Sequence, residues 1–260
     1  MLKKAIQLAA LCLLFSVKAY ANHPLITDDS DTQGKGHFQI ELDGESSTNT
    51  LNAQQKRSAQ LAAILSAGIT NNIDLLITLP HQWQRLKQDG ITQSDTSEFD
   101  DMRTEMKWRF FDPEDQALTL ALKPGISIPT GKEQNGPGSG KLATALTFIA
   151  THKGALGTLH CNFGYRCNAF RDKEKQNAAR QNIWLASLAA ELNTAAHLRT
   201  VLNIGIESNE ARASDSNPAV LLGGVIYSLS ENLDLDLGLK GGLNSAAPDT
   251  TMLAGLTAHF

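Results

Sequence analysis

Residues 233–244 read Leu-Asp-Leu-Asp-Leu-Gly-Leu-Lys-Gly-Gly-Leu-Asn, and this alternation of apolar and polar side chains decides the fold. In a β-strand successive side chains point to opposite faces, whereas on a helix the same pattern would scatter them around the axis. One face would carry the leucines, and the other would carry Asp234, Asp236 and Lys240. The stretch therefore predicts a strand with one apolar face and one charged face.

The same period of two recurs along the whole chain. At 102–110, for example, four charged residues oppose Met102, Met106, Trp108 and Phe110. Most candidate strands have 9 to 13 residues, the length that a tilted strand needs to cross a bilayer. Twelve are predicted, at 37–45, 58–69, 73–84, 100–111, 116–128, 141–152, 156–167, 181–192, 197–207, 219–229, 233–243 and 251–260.

The connections alternate in length as well. Short turns are predicted after the even-numbered strands, at 70–72, 112–115, 153–155, 193–196 and 230–232, and longer polar loops after odd-numbered strands, at 86–98, 130–140 and 169–180. Such alternation is typical of bacterial outer-membrane barrels, whose short turns are periplasmic. A sheet that faces lipid must close on itself, because hydrocarbon cannot hydrogen-bond a free edge. We therefore predict an all-β, twelve-stranded up-and-down antiparallel transmembrane β-barrel over residues 37–260, in the outer membrane.

The beginning of the chain has the composition of a signal peptide. Lys3 and Lys4 precede an apolar stretch at 8–17, and Ala19-Tyr20-Ala21 offers a cleavage site, so residues 1–21 are predicted to be removed. The apolar stretch is too short for a spanning helix, and no later stretch reaches 18 apolar residues. The remaining chain has 20 basic and 27 acidic residues, a net charge of −7, which argues against a nucleic-acid partner.

Residues 22–36 are polar and too short to form a domain. We predict that they form a periplasmic N-terminal segment that folds into the barrel mouth as a plug. Its acidic residues Asp28, Asp29 and Asp31 would be attracted by cations predicted to face inward: Arg103, Lys107, Arg109, Lys123, Arg166 and Arg199. The alternative is a loose tail with solvated charges.

The charged faces of the strands predict the lining of the barrel interior. The pore-lining candidates are Arg103, Glu105, Lys107, Arg109, Lys123, His160, Arg166, Arg199, Glu207, Asp234, Asp236 and Lys240. They would set selectivity through charge and width; alternatively, they pair across strands and only stiffen the wall.

Motifs for catalysis, metal binding or a cofactor are not predicted. The seven His residues are scattered, without the spacing of a zinc site. Ser187 and His160 would share the inward face of adjacent strands, but no orienting partner or oxyanion hole accompanies them. A barrel enzyme therefore stays an alternative, as does a structural barrel that transports nothing.

Several motifs resemble a known family. The start of the mature chain reads HPLITDDSDTQG at 23–34 and GHFQIE at 36–41, followed later by GITNNID at 68–74, KPGISIPTGK at 123–132 and LHCNFGY at 159–165. These stretches resemble the MetA-pathway phenol-degradation proteins, a family of outer-membrane transporters, although Ser30-Asp31 replaces an expected Thr-Gly pair. The resemblance implies a channel for passive uptake of small organic, aromatic or hydrophobic compounds.

The chain ends on Phe260, on the alternating last strand. A C-terminal aromatic residue resembles the assembly signal of outer-membrane barrels, so the barrel assembly machinery is an expected partner. Membrane lipid and a small-molecule solute are the other expected partners, and the barrel is expected to be a monomer.

Two cysteines remain after signal removal. On one straight strand Cys161 and Cys167 would lie roughly 20 Å apart, too far for a disulfide. If the chain instead turned between them, they could close a small loop. The straight strand is the preferred interpretation.

Overall fold

The protein is an antiparallel β-barrel, as a computed structural model describes it for residues 23–51, 54–114, 117–134 and 136–260. The predicted signal peptide at 1–21 lies outside the described residues. The strands are β1 (Phe38–Leu51), β2 (Gln54–Thr70), β3 (Ile73–Gln88), β4 (Ile91–Phe99), β5 (Met102–Phe111), β6 (Leu118–Ile128), β7 (Ala143–Lys153), β8 (Gly157–Cys167), β9 (Asn182–Ala195), β10 (Leu198–Glu207), β11 (Ala219–Ser230), β12 (Leu233–Gly242) and β13 (Thr250–His259); one short helix, α1 (Lys173–Ala178), lies between β8 and β9.

Antiparallel pairing closes the sheet into a ring. β1 pairs with β2 on one side and with β13 on the other, in a register that runs from Gln39 opposite His259 to Thr48 opposite Thr250. β4 and β5 both pair with β3, one above the other, so the thirteen strands in the described residues occupy twelve positions around the barrel. The predicted twelve-stranded antiparallel barrel is confirmed.

A bulge separates β4 from β5. Residues 79–80 of β3 lie opposite residues 100–102, because Thr78 pairs with Arg103 and His81 pairs with Phe99. Proline lacks the N–H that a strand ladder needs and is tolerated where a ladder is interrupted. Pro80 stands at this point, and its carbonyl still accepts a hydrogen bond from the Asp100 N–H at 2.9 Å. The extra residue bends the strand locally.

Exposure alternates along the strands as the sequence pattern predicts. In β12, 62% of Leu237 is exposed but only 3% of Asp236. The outer surface is rich in exposed Leu, Ile and aromatic residues, whereas buried charged and hydroxyl side chains fill the interior. This arrangement is the reverse of that in a soluble protein, where apolar side chains fill the core, and it fits a barrel surrounded by hydrocarbon. Among the described residues, no helix has the length and hydropathy of a membrane span.

The first two hairpins of the barrel are longer than predicted. β3 and β4 continue as a paired ladder up to Gln88 opposite Ile91, so the predicted polar loop at 86–98 is wrong. Asp89 and Gly90, both at positive φ, form the two-residue turn between them. Asp-Gly is a strong hairpin signal, but residues 91–99 lack the alternation on which the strand prediction depended.

The first and last strands of the barrel meet at the rim that carries the short connections. The Phe38 N–H donates to the Phe260 carbonyl at 3.1 Å, and the Phe260 N–H donates back at 2.9 Å. Their rings stack with centroids 4.7 Å apart. Phe260 thus closes the seam between the first and last strands, while its role as an assembly signal stays a prediction.

Cys161 and Cys167 both lie on β8, exposed and not joined by a disulfide. The straight-strand interpretation of this stretch is confirmed.

Loops at the opposite end are tied to one another. Asp172 caps α1 by accepting hydrogen bonds from the N–H groups of Glu174 and Lys175. The Lys175 ammonium donates to the carbonyls of Glu133, Gly136 and Gly138 at 2.8 to 3.1 Å. The loop that contains α1 is thereby fastened to the loop between β6 and β7.

Candidate functional site

Residues 23–36, called here the N-terminal segment, lie inside the barrel. Thr27 and Ser30 are fully buried. The Asn203 side chain, on β10, accepts hydrogen bonds from the N–H groups of Ile26 and Thr27 at 2.8 and 3.0 Å and donates to the Thr27 hydroxyl at 2.8 Å. The wall thus satisfies backbone groups of the segment that would otherwise be buried without partners.

A second set of hydrogen bonds to the wall lies three residues further along the segment. The Ser30 N–H donates to the Thr151 hydroxyl at 3.0 Å, and the Ser30 hydroxyl lies 2.5 Å from that of Thr119. Thr151 also lies 3.0 Å from the His160 ring, a predicted pore-lining residue. His160 is therefore buried beneath the segment, where it supports a wall contact.

The acidic residues of the segment meet cations on the wall. Asp28 lies 2.8 Å from the Lys107 ammonium and 2.6 Å from that of Lys123. Asp29 is 3.4 Å from the same Lys107 nitrogen. Burial alone would raise the pKa of the Asp28 carboxyl, but the two ammonium groups outweigh it and hold that pKa well below its usual range. Asp28 is therefore ionised and clamped between two strands.

Asp29 differs electrostatically from its neighbour. Burial raises the pKa of the Asp29 carboxyl by more than Lys107 lowers it, and the adjacent charges of Asp31 and Asp28 raise it further. Asp31 itself lies 3.0 Å from Lys153 and 3.5 Å from Arg109. The three aspartates thus contact four different wall cations.

Only some of the cations predicted to attract these aspartates lie beside them. Lys107, Lys123 and Arg109 contact the segment, and Lys153, which the sequence argument missed, does so too. Arg166 instead pairs with Glu210 at 2.8 Å, and Arg199 with Asp234 at 2.8 Å. No ion pair links those two, or Arg103, to the segment within the described residues.

His23, the first described residue of the segment, contacts the wall on the other side of the lumen. His23 Nδ1 lies 2.5 Å from a carboxylate oxygen of Asp236, on β12. Burial would lower the pKa of His23, but the hydrogen bond to Asp236 and the nearby charges of Asp43 and Glu41 raise it above its usual value. His23 was not among the predicted site residues, because a lone histidine in a polar stretch carries no signal of its own.

Glycines on the inner wall leave room for the segment. A Cβ placed at Gly238 would lie 2.8 Å from Pro24, and one at Gly205 would lie 2.6 Å from the end of the Ile26 side chain. Non-bonded carbon atoms essentially never approach each other so closely. We call this set of close approaches, with Gly224 against Pro24 as a third, the glycine groove.

Cavities lie one above another along the described interior, and three of them concern the site. The lower one, of about 550 Å³, borders the segment and the Asp28 contacts. The middle one, of about 590 Å³, lies between the segment and the upper wall. The upper one, of about 640 Å³, lies beneath the long loops and borders Ser139 and Phe170. Neighbouring cavities share lining residues, and Arg103 lines all three.

The remaining predicted pore-lining residues lie around these cavities. Lys240 pairs with Glu45 at 3.3 Å, and Glu105 lies 3.5 Å from Lys123. Glu207 lines the middle and upper cavities. Asp234 and Asp236 are buried in the lower wall beside Arg199 and His23.

The candidate pair Ser187 and His160 and the possible metal ligands are not brought together among the described residues. The Ser187 hydroxyl is buried without a hydrogen-bond partner, so it is not bonded to His160. No group of three or more His, Cys, Asp or Glu side chains is placed to hold a metal ion in that part of the chain.

These features define a class: an outer-membrane β-barrel with a polar, partly occupied lumen. The profile of the family described as "Putative MetA-pathway of phenol degradation" matches residues 21–260. The chain belongs to this family, which confirms the resemblance inferred from its motifs and its place in the outer membrane. Among curated proteins no sequence matches the chain.

Solved structures agree on the fold. A COG4313 outer-membrane channel from Pseudomonas putida F1 matches with a TM-score of 0.72 at 14% identity, over 89% of this chain and 98% of that one. The KdgM porin in complex with disordered oligogalacturonate matches with a TM-score of 0.53 at 9% identity, over 85% and 99%. The translocator domain of the autotransporter NalP from Neisseria meningitidis gives 0.50 at 10% identity, over 86% and 88%.

Proposed function

We propose that the protein is an outer-membrane channel through which small organic compounds, aromatic and hydrophobic ones included, enter passively. The observation that carries this proposal is the pair of cavities above the segment, of about 590 and 640 Å³. Both are within the volume range of small-molecule sites and combine apolar with charged walls. A single-ring compound fits either of them.

The N-terminal segment is proposed to act as the plug of this channel. It occupies the lower lumen through ion pairs and hydrogen bonds, without a covalent link. Such contacts can be broken and remade, so displacement of the segment would connect the middle cavity to the short-turn end. In this proposal the short turns face the periplasm and solute moves down its gradient.

The charged wall residues are proposed to divide between two roles. Lys107, Lys123 and Arg109 hold the plug, whereas Arg103, Arg166, Glu207 and Lys240 face the space that solute would cross. The chain is proposed to work as a monomer, because the ring closes on its own strands β1 and β13.

Solute entry into proteoliposomes tests the proposal. The solutes are benzamide and resorcinol, compared with glucose, and protein-free liposomes give the leak rate. The expected result is a larger protein-dependent rate for the aromatic compounds than for glucose. A structural barrel would give leak rates for every solute, both for the full chain and for a variant that lacks residues 24–33.

A further inference from the structure

We propose that the middle cavity binds organic monocarboxylates, with the carboxylate on Arg103 and the apolar body against the opposite wall. This inference rests on the proposed channel function and names the solute class that the channel favours. It starts from the position of Arg103, on the inward face of β5 just after the bulge at residues 100–102. Lower, middle and upper cavities all border this side chain.

Within the described part of the chain, Arg103 differs from the other lumen cations in having no ionic partner. Lys107, Lys123, Arg166, Arg199 and Lys240 each lie within 4 Å of a carboxylate oxygen. Across the described ranges, the Arg103 side chain has no ion pair or hydrogen bond, and its charge attracts the Asp100 carboxylate over a longer distance. Its guanidinium group offers five N–H donors to a solute that enters.

The wall on another side of the middle cavity is apolar. It includes two side chains of the N-terminal segment and four of the barrel: Leu25, Ile26, Ile64, Leu185, Val220 and Leu253. Leu25 and Leu253 belong to the same buried apolar cluster inside the barrel. A solute in this cavity of about 590 Å³ can therefore bury a ring or short chain while its head group reaches a cation.

Apart from Arg103, the charges of the middle cavity leave a negative excess, because every other cation there is paired and two further carboxylates remain. Lys240 is paired with Glu45, and Arg166 with Glu210, whereas Asp43 and Glu207 add negative charge and His23 is bonded to Asp236. Selection therefore depends on local contact with Arg103 and not on the overall field. A planar guanidinium forms two parallel hydrogen bonds with a carboxylate, which an amide or phenol of the same size cannot reproduce.

Calorimetric titration of the full chain in lipid nanodiscs tests the inference independently of flux. Benzoate at neutral pH is compared with benzamide, its uncharged counterpart. We expect benzoate to bind about tenfold more tightly, the gain typical of a charged hydrogen-bonded pair. From acetate to butyrate to hexanoate, affinity should rise by about threefold per added methylene because of the apolar wall.

Variants locate the binding. Arg103→Gln should reduce benzoate affinity about tenfold and leave benzamide affinity unchanged, while Arg103→Lys should retain part of it. Arg85→Gln is the matched control, because Arg85 pairs with Asp95 on the β3–β4 hairpin and borders none of the three cavities. Heat-modifiable migration in gels shows whether each variant is folded.

The outcomes separate the two proposals. Equal affinities of wild type for benzoate and benzamide would overturn this inference without using any variant. An unchanged benzoate affinity in Arg103→Gln, or an equal loss of benzamide binding, would also overturn it and leave the channel proposal intact. Benzoate binding without protein-dependent entry of any solute would instead support the site and reject the channel.

Discussion

The lower and upper halves of the lumen have similar wall chemistry but different occupancy. In the lower half, Lys107 and Lys123 are both within 3 Å of Asp28 of the N-terminal segment, and little water reaches them. In the upper half, Arg166 pairs with Glu210, whose side chain is 68% exposed, and Arg103 has no ionic partner in the described residues. Inward arginines and lysines thus hold the N-terminal segment where it supplies aspartates. Where it does not, cations of the same type face the cavities.

Removal of the N-terminal segment is expected to abolish the difference in occupancy between the lower and upper halves of the lumen. Deletion of residues 24–33 takes away the aspartates and the chain that occupy the lower lumen, and leaves roughly the 10 Å that twelve strands enclose after side chains are subtracted. Single-channel conductance in planar bilayers should rise severalfold over that of the full chain. If it were unchanged, the segment would not be what limits ion flow.

Asp28→Asn should weaken the fastening without removing the segment. It removes the nearest carboxylate from two largely buried ammonium groups and leaves Lys107 with Asp29 at 3.4 Å and Lys123 with Glu105 at 3.5 Å. The cost is therefore at most the roughly 3 kcal/mol of a broken buried pair. The fraction of time in the high-conductance state should increase by up to about a hundredfold in single-channel records.

Asp31→Asn is the matched control for this charge change. Its nearer partner, Lys153, is 35% exposed, and pairs in contact with water contribute about 1 kcal/mol or less. Its other partner, Arg109, keeps a second carboxylate, that of Asp112, at 3.2 Å. A larger effect from Asp31→Asn than from Asp28→Asn would contradict the view that burial makes the Asp28 contacts the main fastening.

The third and smallest expected effect concerns the glycine groove. Gly238→Ala puts a methyl group 2.8 Å from Pro24, so the segment must shift, at about 1 kcal/mol or more. Gly241→Ala, three residues later on the same strand, meets nothing within 4 Å. Open events should become more frequent in the first variant and stay at the wild-type frequency in the second; equal frequencies would show that the segment does not depend on the groove.

The barrel was predictable from sequence because its signal is local and repeated. Each polar–apolar pair of neighbours, such as Asp236 and Leu237, predicts which face of its strand is inside. The same pattern recurs in twelve predicted strands, so each strand supports the prediction separately. β4 escaped prediction because its sequence, ITQSDTSEF, is polar on both faces. Its register is set by the turn at Asp89-Gly90 and by the bulge beside Pro80 instead of by burial.

The lumen contacts were harder to predict because they join distant parts of the chain. The Asn203 contacts to the segment span 176 or 177 residues, and that between His23 and Asp236 spans 213. Alternation assigns Arg103, Lys107 and Arg166 to one face but cannot say which acquires a carboxylate. That depends on the height of each residue in the closed barrel, which follows from register.

The glycine groove also bears on the route that ions and solutes would take. Gly205, Gly224 and Gly238 lie on the consecutive strands β10, β11 and β12, so the inner wall exposes backbone at three neighbouring positions. Lys107 and Lys123 project from β5 and β6, a different sector of the ring. Once vacated, the lumen would have backbone amide dipoles on one side and fixed positive charge on the other.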